Sequence, residues 1–188
     1  MNNKIEVLKK ENQKLKKQIK QLKNLATIDF LTKIYNRRAF TDALKKACKE
    51  IRWVAKHQTR RQHIESFVLL LADIDNFKKI NDQLGYLQGD KILKQVAKFL
   101  KQSVRDFDIV ARWGGEEFAI ILKEITLQQA KKKTETIMEN VRKKLPITLS
   151  MGVVASSPKY SEIQIFKLVD EAVHKAKNRG KNQIVVVN

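Results

Sequence analysis

Cysteine is almost missing: Cys48 stands alone in 188 residues. One thiol excludes an internal disulfide and fits a reducing compartment, where Cys48 serves as a small packing residue. Histidine is scarce too, and His57, His63 and His174 show no zinc-ligand spacing. Proline occurs twice and glycine six times, and neither an internal repeat nor a low-complexity linker divides the chain. One globular domain with a long helical attachment is expected. No apolar stretch approaches the roughly 20 residues of a membrane span, and the lysine-rich start lacks the apolar core of a signal peptide. The expectation is a soluble, cytoplasmic protein with no membrane partner. Acids are outnumbered as well: 20 Asp and Glu stand against 39 Lys and Arg, a formal charge of +19. That excess raises encounter rates with polyanions but does not identify the ligand.

What is present begins with a heptad pattern. Ile5, Leu8, Asn12, Leu15, Ile19, Leu22 and Ala26 follow alternating steps of three and four. Ile5, Asn12, Ile19 and Ala26 take position a and the leucines position d, which favours a parallel two-stranded coil over a helix packed on its own domain. Asn12 lowers stability but pairs with its twin in register, and so argues for a dimer. Glu11 attracts Lys16 across the seam while Lys4 repels Lys9, so this short coil is marginally stable. Residues 1–26 are read as a coiled-coil signalling helix and 27–188 as the globular domain.

Helix and strand alternate through the rest. Phe40, Ala43, Ala47, Ile51 and Val54 mark one helix, Ile92, Leu93, Val96, Ala97, Leu100 and Val104 another, and a short one spans Phe77 to Asp82. Thr126 offers an N-cap to a helix through Ile137, Met138 and Val141 that Pro146 ends. Ile147 to Val154 reads as a strand, Ile163 to Ala176 as a helix, and Gln183 to Val187 as an edge strand. A hydrophobic share of 43% can build the core of such an α/β layer fold, a mixed central sheet flanked by helices.

Two segments carry chemistry. Ser66 to Asp75 is apolar enough for a fully buried strand and ends in Asp73-Ile74-Asp75. Ala111 to Leu122 reads as a β-hairpin whose apolar strands are interrupted by Gly114-Gly115 and then Glu116-Glu117. Paired glycines reach the positive φ of a tight turn and allow close approach of another molecule. Acids at a half-buried tip need a cation or donors to offset desolvation, which weakens the alternative of a solvated acidic turn. Magnesium accepts near-octahedral oxygen, so one carboxylate from each of two neighbouring strands, Asp73 and Glu116, is a normal protein share.

Trp113-Gly114-Gly115-Glu116-Glu117-Phe118 resembles the GGDEF signature of diguanylate cyclases in its Gly-Gly-Glu-Glu-Phe form. The likeness extends to Ala26–Thr32 with Asn36–Phe40, to Asp73–Asp82 followed by Gly85, Gly89 and Asp90, to Ser150–Val153 and to Ala176–Asn182. The resemblance implies the palm-like nucleotidyl cyclase fold and the condensation of two GTP into cyclic di-GMP and two pyrophosphates within a homodimer. It implies two Mg²⁺ (or Mn²⁺) per active site, held by Asp73, the Ile74 carbonyl and Glu116, with Glu117 as a further metal ligand or as the base for the 3′-hydroxyl. Lys78, Lys177 and Lys181 are implied at the phosphates, helped by free N–H groups of the helix after Asn76. Asn81 and Asp90 are implied at the guanine, with Phe77 and Gly115 also in the substrate site. One carboxylate can accept both N1–H and N2–H of guanine, so adenine would leave Asp90 unpaired. Asp90 also fits a charge near a helix N-terminus. Arg105 and Asp108 stand where the family carries an inhibitory product site; the bland alternative is an arginine that ends a helix.

Departures from the family pattern are Lys33 for glycine, Tyr86 for histidine, His174 for tyrosine, Lys181 for arginine, and a short link from Lys143 to Ile147. None removes an implied metal or base ligand. A non-catalytic GGDEF-like module that binds cyclic di-GMP or GTP is the alternative, and the clustered acids argue against it. A basic-zipper nucleic-acid binder is disfavoured, because the heptads start almost at Met1 and leave no room for a basic helix ahead of them.

Overall fold

The computed structural model describes residues 26–57 and 64–187, with 5–6, 11–16, 18 and 22 of the amino-terminal helix. At those helical positions Ile5, Leu15 and Leu22 are exposed, so the d-position side chains described there are uncovered within one chain. Leu8 and Ile19 of the heptad pattern lie outside the described residues.

Five helices and five strands follow: α1 Arg37–His57, β1 Phe67–Ile74, α2 Phe77–Leu84, α3 Tyr86–Gln102, β2 Ile109–Arg112, β3 Glu117–Lys123, α4 Leu127–Lys144, β4 Leu149–Ala155, α5 Glu162–Asn178 and β5 Ile184–Val187. They form one mixed sheet in the order β2-β3-β1-β4-β5. β1 is central and antiparallel to both neighbours, and β5 runs parallel to β4 at the edge. The mixed sheet flanked by helices expected from the alternating pattern is the architecture observed.

Every residue of β1 is buried, as its unbroken apolar run requires. Its side chains alternate between two cores. Val68, Leu70, Ala72 and Ile74 pack with α3 and α4, while Phe67, Leu69 and Leu71 pack with α1 and α5. Thr126 caps α4 and Ser161 caps α5, each in a reciprocal capping box with a glutamine three residues on. Both layers converge on the carboxyl end of β1, where the chain turns through Asp75 and Asn76 into α2.

Candidate functional site

The two aspartates at the end of β1 have different surroundings. Asp75 is buried, and its carboxylate accepts from Thr148 Oγ1 at 2.6 Å, Ser150 Oγ at 2.6 Å and the Asn182 N–H at 2.9 Å. Its own N–H donates to the Thr148 carbonyl at 3.0 Å. Asp75 therefore ties β1 to β4 and to the turn after α5. Asp73 is also buried; Oδ2 accepts from Lys177 Nζ at 2.6 Å, and Oδ1 has no hydrogen-bond partner among the described residues. An orphaned buried carboxylate oxygen is the kind of acceptor a cation satisfies.

The hairpin brings two more acids to this point. Glu117 opposes Asp73 in the β1–β3 ladder, and the Ile74 N–H donates to the Glu116 carbonyl at 3.3 Å. Burial is the main influence on Asp73, Glu116 and Glu117, and it holds all three carboxyls above their ordinary range. Lys177 opposes the shift at Asp73; Asp73 adds repulsion at both glutamates, and Asp170 adds more at Glu117. Such a group favours a bound cation. Among the described residues no three His, Cys, Asp or Glu side chains converge into a closed metal cage. A magnesium ion would therefore complete its shell with backbone, water or phosphate oxygens, as that ion commonly does.

The hairpin tip departs from expectation in one respect. Neither Gly114 nor Gly115 has positive φ; among the described glycines only Gly85 and Gly180 do. A Cβ at Gly114 would lie 2.5 Å from Glu117 Oε2, so a side chain there would displace the end of the Glu117 side chain. The tip is held by Arg112, whose Nε donates to the Gly114 and Gly115 carbonyls at 3.1 and 3.2 Å and whose Nη2 donates to Gly115 at 2.8 Å.

Beside the acids lies a pocket of about 400 Å³. Phe77, Lys78 and Asn81 of α2 form one side, Tyr86, Asp90 and Leu93 of α3 the other, and Gly115 and Glu116 close the hairpin end. The helices approach closely because residue 89 is glycine: a Cβ there would lie 1.9 Å from Asn81 Oδ1. Asp90 is the fifth residue of α3, whose first turn carries no acid, so its reading as a charge at the helix end does not hold. Asn76 begins α2 at φ 59 without a side-chain cap bond, which leaves the first-turn N–H groups uncapped. Its Oδ1 accepts from Lys181 Nζ instead. Lys78 lines the pocket, whereas Lys177 and Lys181 stand at the strand end on Asp73 and Asn76.

Away from this site, Asp108 is buried, and its two oxygens accept from the Arg105 N–H at 2.9 Å and the Lys123 N–H at 3.0 Å. Arg105 is exposed beside the Phe107 ring. Asp108 thus braces the turn, lines a neighbouring pocket with Asp106 and Phe107, and stands three residues from the solvent-facing Arg105. Sequence reasoning also gave no role to Arg112, Asp29 or Asp75. The arginine two residues ahead of Gly114 was the available signal for the first.

Residues 26–183 match the family model described as diguanylate cyclase, GGDEF domain. The chain belongs to this family. It is 34% identical over 175 residues to the probable diguanylate cyclase DgcT of Escherichia coli K12, covering 87% of this chain and 36% of the relative. It is 36% identical over 173 residues to the E. coli diguanylate cyclase DgcM, covering 88% and 39%. The chain thus spans well under half the length of these relatives. The coiled coil and GGDEF domain of DgcB from Caulobacter crescentus, solved with cyclic di-GMP, superposes with a TM-score of 0.88 at 26% identity over 99% of this chain and 98% of that one. The helix-plus-domain arrangement is therefore shared with a structure that includes a coiled coil. Among the described residues no helix of this GGDEF protein is long and apolar enough to cross a membrane.

Proposed function

We propose that this chain is a diguanylate cyclase that joins two GTP into cyclic di-GMP, with loss of two pyrophosphates, in a homodimer held by its amino-terminal coil. The observation that carries the reading is the orphaned Asp73 Oδ1, beside Glu116 and Glu117 and against a pocket whose far end carries Asn81 and Asp90. In this reading Asp90 and Asn81 bond the guanine edge. Lys78 and the uncapped N–H groups of α2 receive the phosphates, and Lys177 and Lys181 exchange Asp73 and Asn76 for phosphate oxygens. Asp73, the Ile74 carbonyl and Glu116 would hold Mg²⁺ or Mn²⁺, which when bound lowers the pKa of the attacking hydroxyl and neutralises the triphosphate. Glu117 faces the same point and either completes that ligand set or takes the 3′-hydroxyl proton. Each hydroxyl attacks the partner nucleotide's α-phosphorus, forming one P–O bond as the bond to pyrophosphate breaks. Product feedback is assigned to Arg105 and Asp108, and GTP as substrate implies a cytoplasmic site of action.

The purified chain with GTP and Mg²⁺ should yield cyclic di-GMP and pyrophosphate. Glu117→Ala should abolish turnover, and the rate per subunit should fall on dilution because two sites must face each other. GTP binding by the wild type without product would favour the binding-module reading instead.

A further inference from the structure

We infer that Tyr86 is a base-binding residue of the nucleotide pocket, its ring offering an exposed face against which a purine base stacks. The inference rests on the guanine-site reading and adds a residue to it. Tyr86, Asp90 and Leu93 follow one another at steps of four and three, so they share one face of α3, and all three line the pocket. The buried Phe77 of α2 also lines the pocket. The lining therefore combines an aromatic ring from each helix with the polar groups of Asn81 and Asp90. That composition suits a planar heterocycle whose faces are apolar and whose edge forms hydrogen bonds. A base bonded through its edge to Asp90 lies one helical turn from Tyr86, within reach of its ring.

Tyr86 is 78% exposed, so it adds little to the folding core. Gly85, at φ 80 and ψ 158, turns the chain so that α3 begins at Tyr86 itself, on the rim of the pocket. Stacking of this kind works through a π face and tolerates loss of the phenolic hydroxyl. Tyr86 would thus govern affinity for the base, leaving the phosphate contacts to Lys78 and α2.

Calorimetric titration of the full chain with 3′-deoxyGTP and Mg²⁺ tests this, since that nucleotide lacks the attacking hydroxyl. Tyr86→Ala should weaken binding about tenfold, while Tyr86→Phe stays within about twofold of the wild type. Tyr86→Leu, apolar but without a π face, should resemble the alanine variant. Affinity for inorganic triphosphate and the melting temperature should be the same in all four proteins, which separates stacking from a general disturbance of the pocket. Equal 3′-deoxyGTP affinity in the wild type and Tyr86→Ala would overturn the inference, as would a phenylalanine variant as weak as alanine. A wild type that fails to bind 3′-deoxyGTP at all would overturn the guanine-site reading as well, a result distinct from either.

Discussion

Arg112 Nη1 lies 3.5 Å from Asp29 Oδ1, with the two side chains only 16% and 15% exposed. The same guanidinium holds the carbonyls of Gly114 and Gly115, so one residue joins the hairpin tip to the segment that leaves the amino-terminal helix. That segment is itself fastened to the helix end: Asn36 Nδ2 donates to the Ala26 carbonyl at 3.1 Å and the Asn36 N–H to Thr27 at 2.8 Å. Asp29 Oδ1 also accepts from the Thr32 N–H and hydroxyl at 2.8 and 2.6 Å. Burial works to raise the Asp29 carboxyl, but the bonds from Thr32 and the charge of Arg112 outweigh it and hold the carboxyl below its ordinary range.

Removing the arginine should loosen both ends. Arg112→Ala leaves two carbonyls and Asp29 short of donors and should cost about 2 kcal/mol in urea unfolding. Arg112→Lys should recover little, because an ammonium cannot reproduce the planar fork. The lowered Asp29 carboxyl adds stability that is fully present above the ordinary carboxylate range and is lost as pH falls through its lowered value. Comparing the acid limb of stability in wild type and Arg112→Ala therefore checks the pair directly; identical limbs would count against it.

The two aspartates of β1 should behave as different kinds of residue. Asp75→Ala strips acceptors from Thr148, Ser150 and Asn182 in a buried setting and should destabilise the fold by about 3 kcal/mol. Asp73→Asn removes a charge that is bonded through one oxygen and repelled by Asp75, so stability should change by no more than about 1 kcal/mol. Denaturant midpoints that reverse this order would show that the structural and site roles have been exchanged.

Lys33 stands at φ 60, a left-handed conformation, where the family pattern has glycine. That conformation costs a residue with a Cβ roughly 1–2 kcal/mol, more than the extra backbone entropy of about 0.5–1 kcal/mol that glycine loses on folding. Lys33→Gly should therefore stabilise the protein by roughly 0.5–1 kcal/mol, and Lys33→Ala, which keeps the Cβ, should be near neutral. Thermal melts of the three proteins decide it.

Periodicity made the layers of the fold readable. β1 could be read because its burial on both faces leaves no polar interruption before Asp73, and α4 because Thr126 and Pro146 bracket it. The site was readable to the extent that residue type alone signals it: acids within apolar runs are conspicuous at Asp73, Glu116 and Glu117. The division of labour between Asp73 and Asp75 was not, because it depends on Thr148, Ser150 and Asn182, residues 73 to 107 positions away. Arg105 and Asp108 show the same limit. Their spacing fits a shared ligand, yet the Lys123 N–H, from another strand, takes one Asp108 oxygen. Gly114 does not take the positive φ that paired glycines suggest; its missing Cβ instead leaves room for the Glu117 carboxylate, a relation set by the fold of the hairpin rather than by residue type.

The raised carboxyls at the end of β1 set a sign for the response to metal and pH. Without a cation, Asp73, Glu116 and Glu117 hold protons more tightly in the folded than in the unfolded chain. Their contribution to stability is therefore greatest at acid pH and declines as pH rises from the ordinary carboxylate range through the raised values. A divalent ion binds the deprotonated form and competes with those protons. The rise in melting temperature on adding millimolar Mg²⁺ should accordingly be small at acid pH, grow toward neutrality, and be largely abolished in Asp73→Asn at every pH. Melting curves with and without Mg²⁺ across that range check the assignment. A shift that shrinks with rising pH, or that survives intact in Asp73→Asn, would place the ion elsewhere.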